Sequence, residues 1–305
     1  MNVPERLRLG VIGLSEGNGH PYSWSAIING YDPDVMSECP YPAIPAYLAQ
    51  RRFPQDQLAG AQVTHVWTQD PAASAHIARA ARIPMVVTEY PQMLGQIDGL
   101  LLARDDAENH LVFAAAFLEA GIPVYLDKPA ALSIAQLDEI YKRAPSAEQI
   151  FSCSALRFAS ELRLTAQEAA RLGPLRRISG SVPRSWGKYA VHVIDPILSF
   201  IKPGEPIAAD AVVRGESVTV TVSWKNGCSG LVHATGEPQG EISLVYAGEH
   251  ESIKKVFTDS FVSFRSALRC FLEGVRLGRS ATPYTDLREV VTLIELGMSA
   301  HASRR

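Results

Sequence analysis

The sequence predicts an α/β protein: a doubly wound parallel sheet over residues 1–150, then an α+β domain with an open-faced, mostly antiparallel sheet over residues 151–305. Three observations lead to this prediction. Strand and helix patterns alternate to about residue 144, as they do in βαβ units. A glycine-containing loop joins the first strand to the first helix. Beyond residue 150 strand patterns predominate, and Asn226-Gly227 indicates a two-residue β-hairpin turn.

Apolar runs and helix start signals predict the elements of the first domain. Strands are predicted where short apolar runs end in turn residues, at 7–12, 63–68, 85–87, 100–103 and 122–126. Helices are predicted where a cap or a proline precedes a helical pattern, at about 21–29, 71–82, 111–121 and from the capping box of Ser133 and Gln136 onward. Segment 32–54 is rich in proline and tyrosine. Its aromatic content argues against disorder, so we expect an ordered insertion packed on the rim of a site.

The structure of the second domain is predicted mainly from strand patterns. Strands are predicted at 151–158, 176–183, 212–225, 228–234 and 242–247. A helix is predicted at 160–172. Runs of strands with few helices favour an α+β domain on a mostly antiparallel sheet, exposed and partly apolar on one face. A homodimer or homotetramer that covers this face is expected.

Composition excludes several classes of function. Apolar residues make up 47% of the chain, charged residues 20%, and the net charge is −3, so nucleic acid and anionic membranes are not expected as partners. No apolar run is long enough to span a bilayer, and the N-terminus does not resemble a signal peptide. The four cysteines and the histidines show no metal-ligand spacing. We therefore expect a cytoplasmic protein with reduced cysteines and no metal.

The loop after the first strand is a candidate for binding a dinucleotide phosphate. A dinucleotide-binding fold places glycines here so that the backbone approaches a pyrophosphate at a helix N-terminus. Gly13, Gly17 and Gly19 are present, but Ser15 occupies the position of the middle glycine and the loop is longer than Gly-x-Gly-x-x-Gly. Ser15 is small, and we expect three backbone amides at the helix start to remain available. The alternative is a glycine turn that has lost phosphate binding.

The tripeptide Asp127-Lys128-Pro129 follows the apolar strand 122–126. Open α/β sheets bind ligands at the carboxyl ends of their strands, so a lysine held there by a proline is a candidate site residue. His192 follows some sixty residues later, in the run 189–195. A strand-end lysine and a distant histidine are suited to moving a proton while a hydride moves elsewhere.

These residues, in this order, resemble the Gfo/Idh/MocA family of dehydrogenases, which includes glucose–fructose oxidoreductase and inositol dehydrogenase. The family's Glu-Lys-Pro element resembles Asp127-Lys128-Pro129. Its strand-four stretch, Thr-Pro-Asn followed by a histidine, resembles residues 103–110, and its closing pair of helices resembles 264–302. The resemblance spans nearly the whole chain. It implies a Rossmann-like first domain that binds NAD or NADP, and a second domain for substrate binding and oligomerisation.

The resemblance implies that the glycine loop and the strand ends supply the cofactor contacts. These are Gly13, Ser15, Gly17, Gly19, His20, Thr68, Arg104, Asp105, His110, Asp127 and Lys128. NAD enzymes usually place an acid after the second strand to bind ribose hydroxyls, and this chain has Thr68 there. Thr68 mildly disfavours NAD over NADP and leaves open that neither binds. His20 is equally suited to stacking on a ligand and to simple packing.

The resemblance also implies the catalytic residues. Lys128 contacts both the nicotinamide ribose and the substrate hydroxyl, and His192 exchanges the hydroxyl proton. The family has a catalytic Asp four residues before this histidine, whereas this chain has Lys188. Two hypotheses follow: the substrate is anionic, or one lysine acts as a base or a Schiff-base nucleophile. The expected substrate contacts are Lys128, Arg184, Trp186, Lys188, His192 and, in a supporting role, Asp195.

The function expected from these residues is an NAD(P)-dependent oxidoreductase acting on a hydroxyl or keto group of a sugar, sugar acid or cyclitol. Ser15, Thr68 and Lys188 depart from the family pattern and favour two alternatives. One is a non-redox protein that binds a sugar-like ligand as a sensor or assembly partner. The other retains the site and uses its lysines for elimination or epimerisation.

Overall fold

The computed structural model describes residues 5–204 and 206–303. Contacts within the chain divide it into two units. The first contains the residues up to Ala131, Ala135–Ser152 and Phe264–Tyr284, and the second contains Leu132–Ile134, Cys153–Ser263 and the residues from Thr285 onward. Segment Phe264–Tyr284, which falls within the expected 151–305 domain, is thus part of the first unit.

The N-terminal half of the chain alternates strands and helices. In chain order these are β1 (Leu7–Ile12), α1 (His20–Asn29), α2 (Pro33–Ser37), α3 (Ala43–Leu48), β2 (Ala61–Trp67), α4 (Pro71–Ala80), β3 (Met85–Val86), β4 (Gly99–Leu102), α5 (His110–Glu119), β5 (Val124–Leu126), α6 (Ile134–Arg143) and β6 (Ile150–Phe151). Short 3₁₀ helices lie at Tyr90–Met93, Ala107–Asn109 and Ala147–Gln149. Local sequence explains the boundaries: the Asp70 carboxylate accepts the N–H of Ala72 and caps α4, and Gly121 has a φ of 81° just after α5.

The first sheet is parallel and doubly wound, as predicted. Its six described strands have the order β3-β2-β1-β4-β5-β6, and each neighbouring pair is parallel. The order reverses between β1 and β4, which is the topological switch point at which open α/β sheets bind their ligands. The loops after β1, β4 and β5 therefore define the candidate site of this unit.

The insertion at 32–54 is ordered, as expected. Asp32 caps α2 by accepting the N–H groups of Asp34 and Val35. The rings of Tyr31 and Phe53 meet edge to face with centroids 5.1 Å apart, which closes the insertion at its two ends.

The predicted strand at 151–158 and helix at 160–172 are wrong in detail. Within this segment the strand is limited to Ile150–Phe151, which pairs with β5 as the last strand of the first sheet. Ser154 then accepts the N–H of Leu156 and starts a 3₁₀ helix, Ala155–Phe158. A second 3₁₀ helix, Ser160–Leu162, precedes the helix α7 (Ala166–Leu172), which begins at a capping box of Thr165 and Glu168. The local caps thus override the apolar pattern.

The rest of the chain is built mainly from strands. The elements are β7 (Leu175–Val182), α8 (Trp186–Tyr189), α9 (Val191–Ile201), β8 (Pro206–Arg214), β9 (Ser217–Trp224), β10 (Ser229–Ala234), β11 (Ser243–Gly248), β12 (Ser252–Val256), α10 (Ser260–Leu277) and α11 (Tyr284–Ala302). The sheet order is β12-β11-β7-β10-β9-β8. Of the described pairs, only β7 with β10 is parallel, so the sheet is mostly antiparallel, as predicted.

Two details of this sheet differ from the prediction. Segment 212–225 is not one strand but the end of β8, a turn containing Gly215 and the whole of β9. The N–H of Trp224 bonds to the Cys228 carbonyl and closes the β9–β10 hairpin, so three residues, Lys225 to Gly227, lie inside the closing pair where a two-residue turn was predicted. Gly227 has a φ of 83°, a left-handed conformation that glycine adopts without strain. Strand β12 was not predicted.

The second sheet buries one face and exposes the other. Val220, Val222 and Val232 are almost fully buried with α9, and at Gly180 an added Cβ would lie 2.6 Å from Val193. Val212 points to the opposite face and is 45% exposed. This alternation is typical of an antiparallel sheet with one face on the core.

In the part of the chain that the structure describes, no helix is long and apolar enough to cross a membrane. Within the same residues, no group of three or more His, Cys, Asp or Glu side chains could hold a metal ion.

Candidate functional site

The loop after β1 turns tightly and leaves one open backbone position. Gly13 packs closely, since an added Cβ would lie 2.2 Å from Pro21. Ser15 and Asn18 form an isolated antiparallel bridge. Between them Gly17 has a φ of 77°, and no heavy atom lies within 4 Å of an added Cβ. The backbone at Gly17 is therefore accessible to an approaching group.

The start of α1 offers fewer amides than the sequence predicted. The N–H of His20 donates to Asn18 Oδ1, Pro21 has no N–H, and the N–H groups of Tyr22 and Ser23 both bond to the Gly19 carbonyl. The expectation of three available amides at the helix start is therefore wrong. Any anion bound by this loop is expected closer to Gly17 than to the first turn of α1.

Gly19 packs against the insertion. An added Cβ would lie 2.5 Å from the Tyr41 ring and 2.6 Å from Ile44. Burial is the main cause that raises the pKa of the Tyr41 phenol. The nearby Asp105 carboxylate raises it further. The insertion thus forms one wall of the candidate site in the first unit, and Tyr41 is a site residue that the sequence pattern did not single out.

Ser15, Asp105 and Lys128 form a buried chain of hydrogen bonds. The Ser15 hydroxyl donates to Asp105 Oδ1 at 2.7 Å and accepts the Asp105 N–H at 3.0 Å. Lys128 Nζ donates to Asp105 Oδ2 at 3.3 Å, and all three residues are at most 8% exposed. Ser15 therefore does more than fill a glycine position, because it ties the β1 loop to the carboxylate that holds Lys128.

Asn18, His20 and Asp127 form a second buried cluster. Asn18 Nδ2 donates to Asp127 Oδ2 at 2.7 Å, and His20 Nδ1 lies 2.6 Å from the same oxygen. Burial alone would raise the pKa of the Asp127 carboxyl, but the charges of His20 and Lys128 and the hydrogen bonds from His20 and Asn18 outweigh it. The pKa of Asp127 is held well below its usual range, so this buried carboxyl is ionised.

Aromatic rings fix the orientation of His20. Its ring is nearly parallel to that of Trp24, with centroids 4.9 Å apart, and Phe264 approaches it edge-on at the same distance. Trp24 in turn stacks on Tyr125 at 4.6 Å. The sequence left open whether His20 stacks on a ligand or packs, and the structure shows that it packs while remaining partly exposed.

Arg104 joins the β4 end to the β2 end. Its guanidinium donates to both Asp106 oxygens, at 3.0 and 2.6 Å, and to Gln69 Oε1 at 3.0 Å, and it lies 4.4 Å over the Phe113 ring. Gln69 also accepts the N–H of Leu14 and donates to its carbonyl. Gln69 thus anchors the glycine loop, a role that the sequence pattern did not reveal.

Thr68 and His110 stabilise backbone in this structure. The Thr68 hydroxyl donates to the Asp70 carbonyl at 2.7 Å, and the residue is 3% exposed. His110 is fully buried, with its two ring nitrogens 3.0 Å from the Ala130 carbonyl and 2.7 Å from the Arg104 carbonyl. Neither side chain is presented to a cofactor, because each is enclosed by its backbone partners. Thr68 is therefore not placed to select between NAD and NADP.

His192 lies on α9 of the second unit, beside a buried polar group. Its Nδ1 is 3.1 Å from Ser154 Oγ. Asp195 accepts the Ser154 N–H at 2.7 Å and lies 3.6 Å from Arg157 Nε. Burial raises the pKa of the Asp195 carboxyl, although Arg157 and the Ser154 N–H act against this shift. Asp195 is 4% exposed and supports Ser154, so it is not placed to contact substrate.

The other expected substrate contacts separate into surface and core positions. Arg184 is exposed, donates to the Tyr189 hydroxyl at 2.6 Å and lies over its ring, and Tyr189 meets the His192 ring edge-on at 5.4 Å. Lys188 is half-buried on α8. Trp186 is buried, and its indole N–H donates to the Ile294 carbonyl. Trp186 therefore belongs to the core, and the expectation that it contacts substrate is wrong.

The geometry of the first unit fits a dinucleotide. The β1 and β4 loops flank the switch point, the backbone is open at Gly17, and a buried lysine stands at the end of β5. An acid after β2 is replaced by Thr68, whose hydroxyl is already bonded. The β1 loop can thus accommodate the phosphates of a dinucleotide, whereas the end of β2 lacks the acid that usually binds the ribose hydroxyls.

Comparison with known proteins agrees with this geometry. Residues 43–154 match the family model described as the Gfo/Idh/MocA oxidoreductase family, NAD-binding Rossmann fold. Similar solved structures include myo-inositol 2-dehydrogenase from Lactobacillus plantarum, with 14% identity, 98% of each chain covered and a TM-score of 0.74. Levoglucosan dehydrogenase in complex with NADH and levoglucosan has 16% identity, the same coverage and a TM-score of 0.71.

A third structure, UDP-N-acetylglucosamine 3-dehydrogenase from Acidithiobacillus ferrooxidans, has 13% identity, 97% coverage of each chain and a TM-score of 0.68. At these identities the likeness establishes a shared fold over both units. No curated protein sequence matches the chain. Residues 43–154 thus match the NAD-binding model of this oxidoreductase family, and the solved structures share the fold of both units.

Proposed function

We propose that this protein is an NAD(P)-dependent dehydrogenase that acts on a hydroxyl or keto group of a sugar, sugar acid or cyclitol. The observation that carries the proposal is the buried Lys128, held by Asp105 and Ser15 at the switch point of the parallel sheet. A surface lysine is mobile and strongly hydrated. Because Lys128 is enclosed and held in one place, its ammonium is positioned to act on a bound substrate.

The chain's own residues divide the work as follows. A nicotinamide cofactor bound to this unit would supply the acceptor or donor of a hydride. The β1 loop around Gly17 would hold the phosphates, and Lys128 would hydrogen-bond to the substrate oxygen and polarise it. The hydroxyl proton leaves to a base, for which the family resemblance indicates His192. Arg184 and Lys188 would favour an anionic substrate such as a sugar acid or a nucleotide sugar.

The names of the similar structures support the substrate class. They act on a cyclitol, an anhydrosugar and a nucleotide sugar, so we infer a polyhydroxylated substrate here as well. The test is a fluorescence titration with NADH and NADPH, followed by oxidation assays with myo-inositol, levoglucosan, glucuronate and UDP-N-acetylglucosamine. Micromolar binding of either cofactor and turnover of one probe would support the proposal, whereas binding of neither would refute it.

A second function is favoured by the loop itself. Because the amides at the α1 start and the Thr68 hydroxyl are already bonded, a member that binds a sugar-like ligand without redox chemistry is the competing proposal. In that case, a probe sugar would raise the melting temperature in the absence of nucleotide, and neither NADH nor NADPH would raise it further. Product formation with a bound but unchanged cofactor would instead indicate elimination or epimerisation.

A further inference from the structure

We propose that the second unit contains a binding site for an aromatic α-amino acid, in a cavity between α9, β9 and α11. The cavity has a volume of about 300 Å³, and every residue that lines it belongs to the second unit. None of these residues is among those expected to contact cofactor or substrate. The site therefore lies beyond the proposed function, and its occupation needs no nucleotide.

The floor of the cavity is apolar and firmly packed. The most buried lining residues are Trp224 and Val222 of β9, which are 2% and 3% exposed, and Leu293 of α11. The Trp224 ring packs on the backbone of β10, since a Cβ added at Gly230 would lie 2.4 Å from it. Leu198 of α9 adds a further apolar side chain. A ring held in this way contacts a flat apolar group at little cost in side-chain entropy.

One face of α11 forms the polar rim of the cavity. Its lining residues are exposed and follow one another at helical intervals of three and four positions: Thr285, Arg288, Glu289 and Thr292. The Thr292 hydroxyl already donates to the Arg288 carbonyl at 2.8 Å. The guanidinium of Arg288 and the carboxylate of Glu289 are thus the charged groups of this rim.

Neither of these charges is balanced by a neighbouring side chain. Among the described residues, the Arg288 guanidinium and the Glu289 carboxylate have no hydrogen bond and no ion pair. Partial loss of water around Glu289 is the main cause that raises the pKa of its carboxyl, and the Asp286 carboxylate raises it further. A bound cation would relieve this repulsion, and a bound carboxylate would pair with the guanidinium.

These features together define the chemistry of the ligand. Adjacent charges of opposite sign match the carboxylate and the ammonium of an α-amino acid, whereas a phosphate or a sugar acid carries only negative charge and would be repelled by Glu289 and Asp286. The volume of about 300 Å³ is at the small end of ligand pockets, and the floor is apolar. A ligand of the size of phenylalanine fits these conditions, with its ring against the floor at Trp224.

The experiment titrates the intact chain, without nucleotide, with four probes. L-phenylalanine carries every required group, 3-phenylpropionate lacks the ammonium, 2-phenylethylamine lacks the carboxylate, and L-alanine lacks the ring. Binding is followed in ¹⁵N-tryptophan-labelled protein through the indole resonance of Trp224, which is the one missing from Trp224→Phe. We expect L-phenylalanine to shift this resonance with a Kd below about 1 mM, and each of the other probes to bind at least about tenfold more weakly.

Two rim variants test the assignment of the charges. Arg288→Gln should weaken the binding of L-phenylalanine and 3-phenylpropionate by about tenfold and leave that of 2-phenylethylamine unchanged. Glu289→Gln should weaken the binding of L-phenylalanine and 2-phenylethylamine and spare that of 3-phenylpropionate. Arg177→Gln removes an exposed arginine of β7 in the same unit and should bind as the wild type does. Because all three positions are exposed, we expect the variants to keep the wild-type melting temperature.

Two results would overturn the inference at once: no shift of the Trp224 resonance with L-phenylalanine up to about 20 mM, or shifts confined to the other three tryptophans. Equal affinities for L-phenylalanine and 3-phenylpropionate would show that the ammonium is not recognised and would also overturn it. So would an Arg288→Gln or Glu289→Gln variant that binds L-phenylalanine as tightly as Arg177→Gln does. NADH and NADPH binding is measured separately, so the proposed function and this site can fail independently of each other.

Discussion

At the scale of single residues, the side chains that differ from the family pattern form hydrogen bonds with one another and with the β1 loop. Ser15 replaces a glycine, and its hydroxyl bonds twice to Asp105, which itself stands in the altered strand-four stretch. Asp127, in place of the family's Glu, binds His20 and Asn18 of the same loop. The substituted residues therefore take part in two hydrogen-bonded clusters beside Lys128.

Replacement of Lys128 tests the centre of this network. We expect Lys128→Ala to reduce turnover by 10²-fold or more, because the substrate oxygen loses its positively charged donor. Asp105→Asn should reduce it by a smaller factor, since the lysine remains but loses its anchor. Lys142→Ala, which removes an exposed lysine paired with Glu139, is the matched control. Steady-state kinetics of the three variants decide the matter, and a Lys128→Ala enzyme of wild-type activity would refute the mechanism.

Asp127 predicts a pH-dependent stability. Its pKa is depressed in the folded protein, so its stabilisation is fully present above the unfolded pKa of about 4 and is lost as the pH falls toward the folded value. We expect Asp127→Asn to unfold more easily at pH 7, by about 1.5–3 kcal/mol, through the loss of charged hydrogen bonds. Urea denaturation at pH 7 and at about pH 2, which lies between the unfolded and the folded pKa, should show the difference from wild type shrinking in acid. A difference independent of pH would contradict the ion-pair interpretation.

At the scale of elements, the 32–54 insertion and the glycine loop act as one structural piece. Tyr41 and Ile44 pack on Gly19, and Gln69 at the β2 end holds the Leu14 backbone. The loop is therefore supported from two sides, and its open position is confined to Gly17. This arrangement explains why a loop longer than the usual fingerprint retains a defined shape.

Gly19→Ala tests the contact between the loop and the insertion. Gly19 has a φ of −98°, which alanine tolerates, so any cost comes from the new Cβ meeting Tyr41 and Ile44. We expect a loss of about 1–3 kcal/mol in the free energy of unfolding. In a Tyr41→Leu background the same substitution should cost less, because the ring at 2.5 Å is gone. Equal costs in the two backgrounds would show that the packing is not tight.

At the scale of the whole molecule, each unit has its own sheet, and the second sheet has an open face. Val212 on β8 is exposed there, and Leu231 on β10 and Val245 on β11 are partly exposed on the same face. An exposed sheet face that is partly apolar favours association with another copy of the chain. We propose that this face forms the homo-oligomer interface.

Val212→Glu tests that interface. We expect a smaller molecular mass in solution than for the wild type, because a buried glutamate would be left unpaired between two copies. Val112→Glu, on the exposed side of α5, makes the same change in the first unit and should leave the mass unchanged. Analytical ultracentrifugation measures both. An unaltered assembly in Val212→Glu, or a monomeric wild type, would argue against the proposal.

The sequence by itself determined what short-range chemistry decides. The alternation of strands and helices, the Asp70 cap, the stop at Gly121 and the strand end before Lys128 depend on neighbouring residues, and the structure contains all of them. The sequence motifs also indicated a family resemblance, and residues 43–154 match the model of the same family. Local signals failed where a stronger cap competed, as at Ser154 and Thr165, and in the second sheet, where β12 was not predicted and segment 212–225 contains parts of two strands.

Tertiary structure alone decided how the site residues are partnered. Ser15 meets Asp105 across 90 positions of the chain, and Asn18 meets Asp127 across 109. Burial of Thr68 and Trp186 likewise depends on which elements pack beside them. No local pattern encodes such pairs, because a hydroxyl or a carboxylate has the same intrinsic preferences whether its eventual partner is a ligand, a backbone amide or a distant side chain.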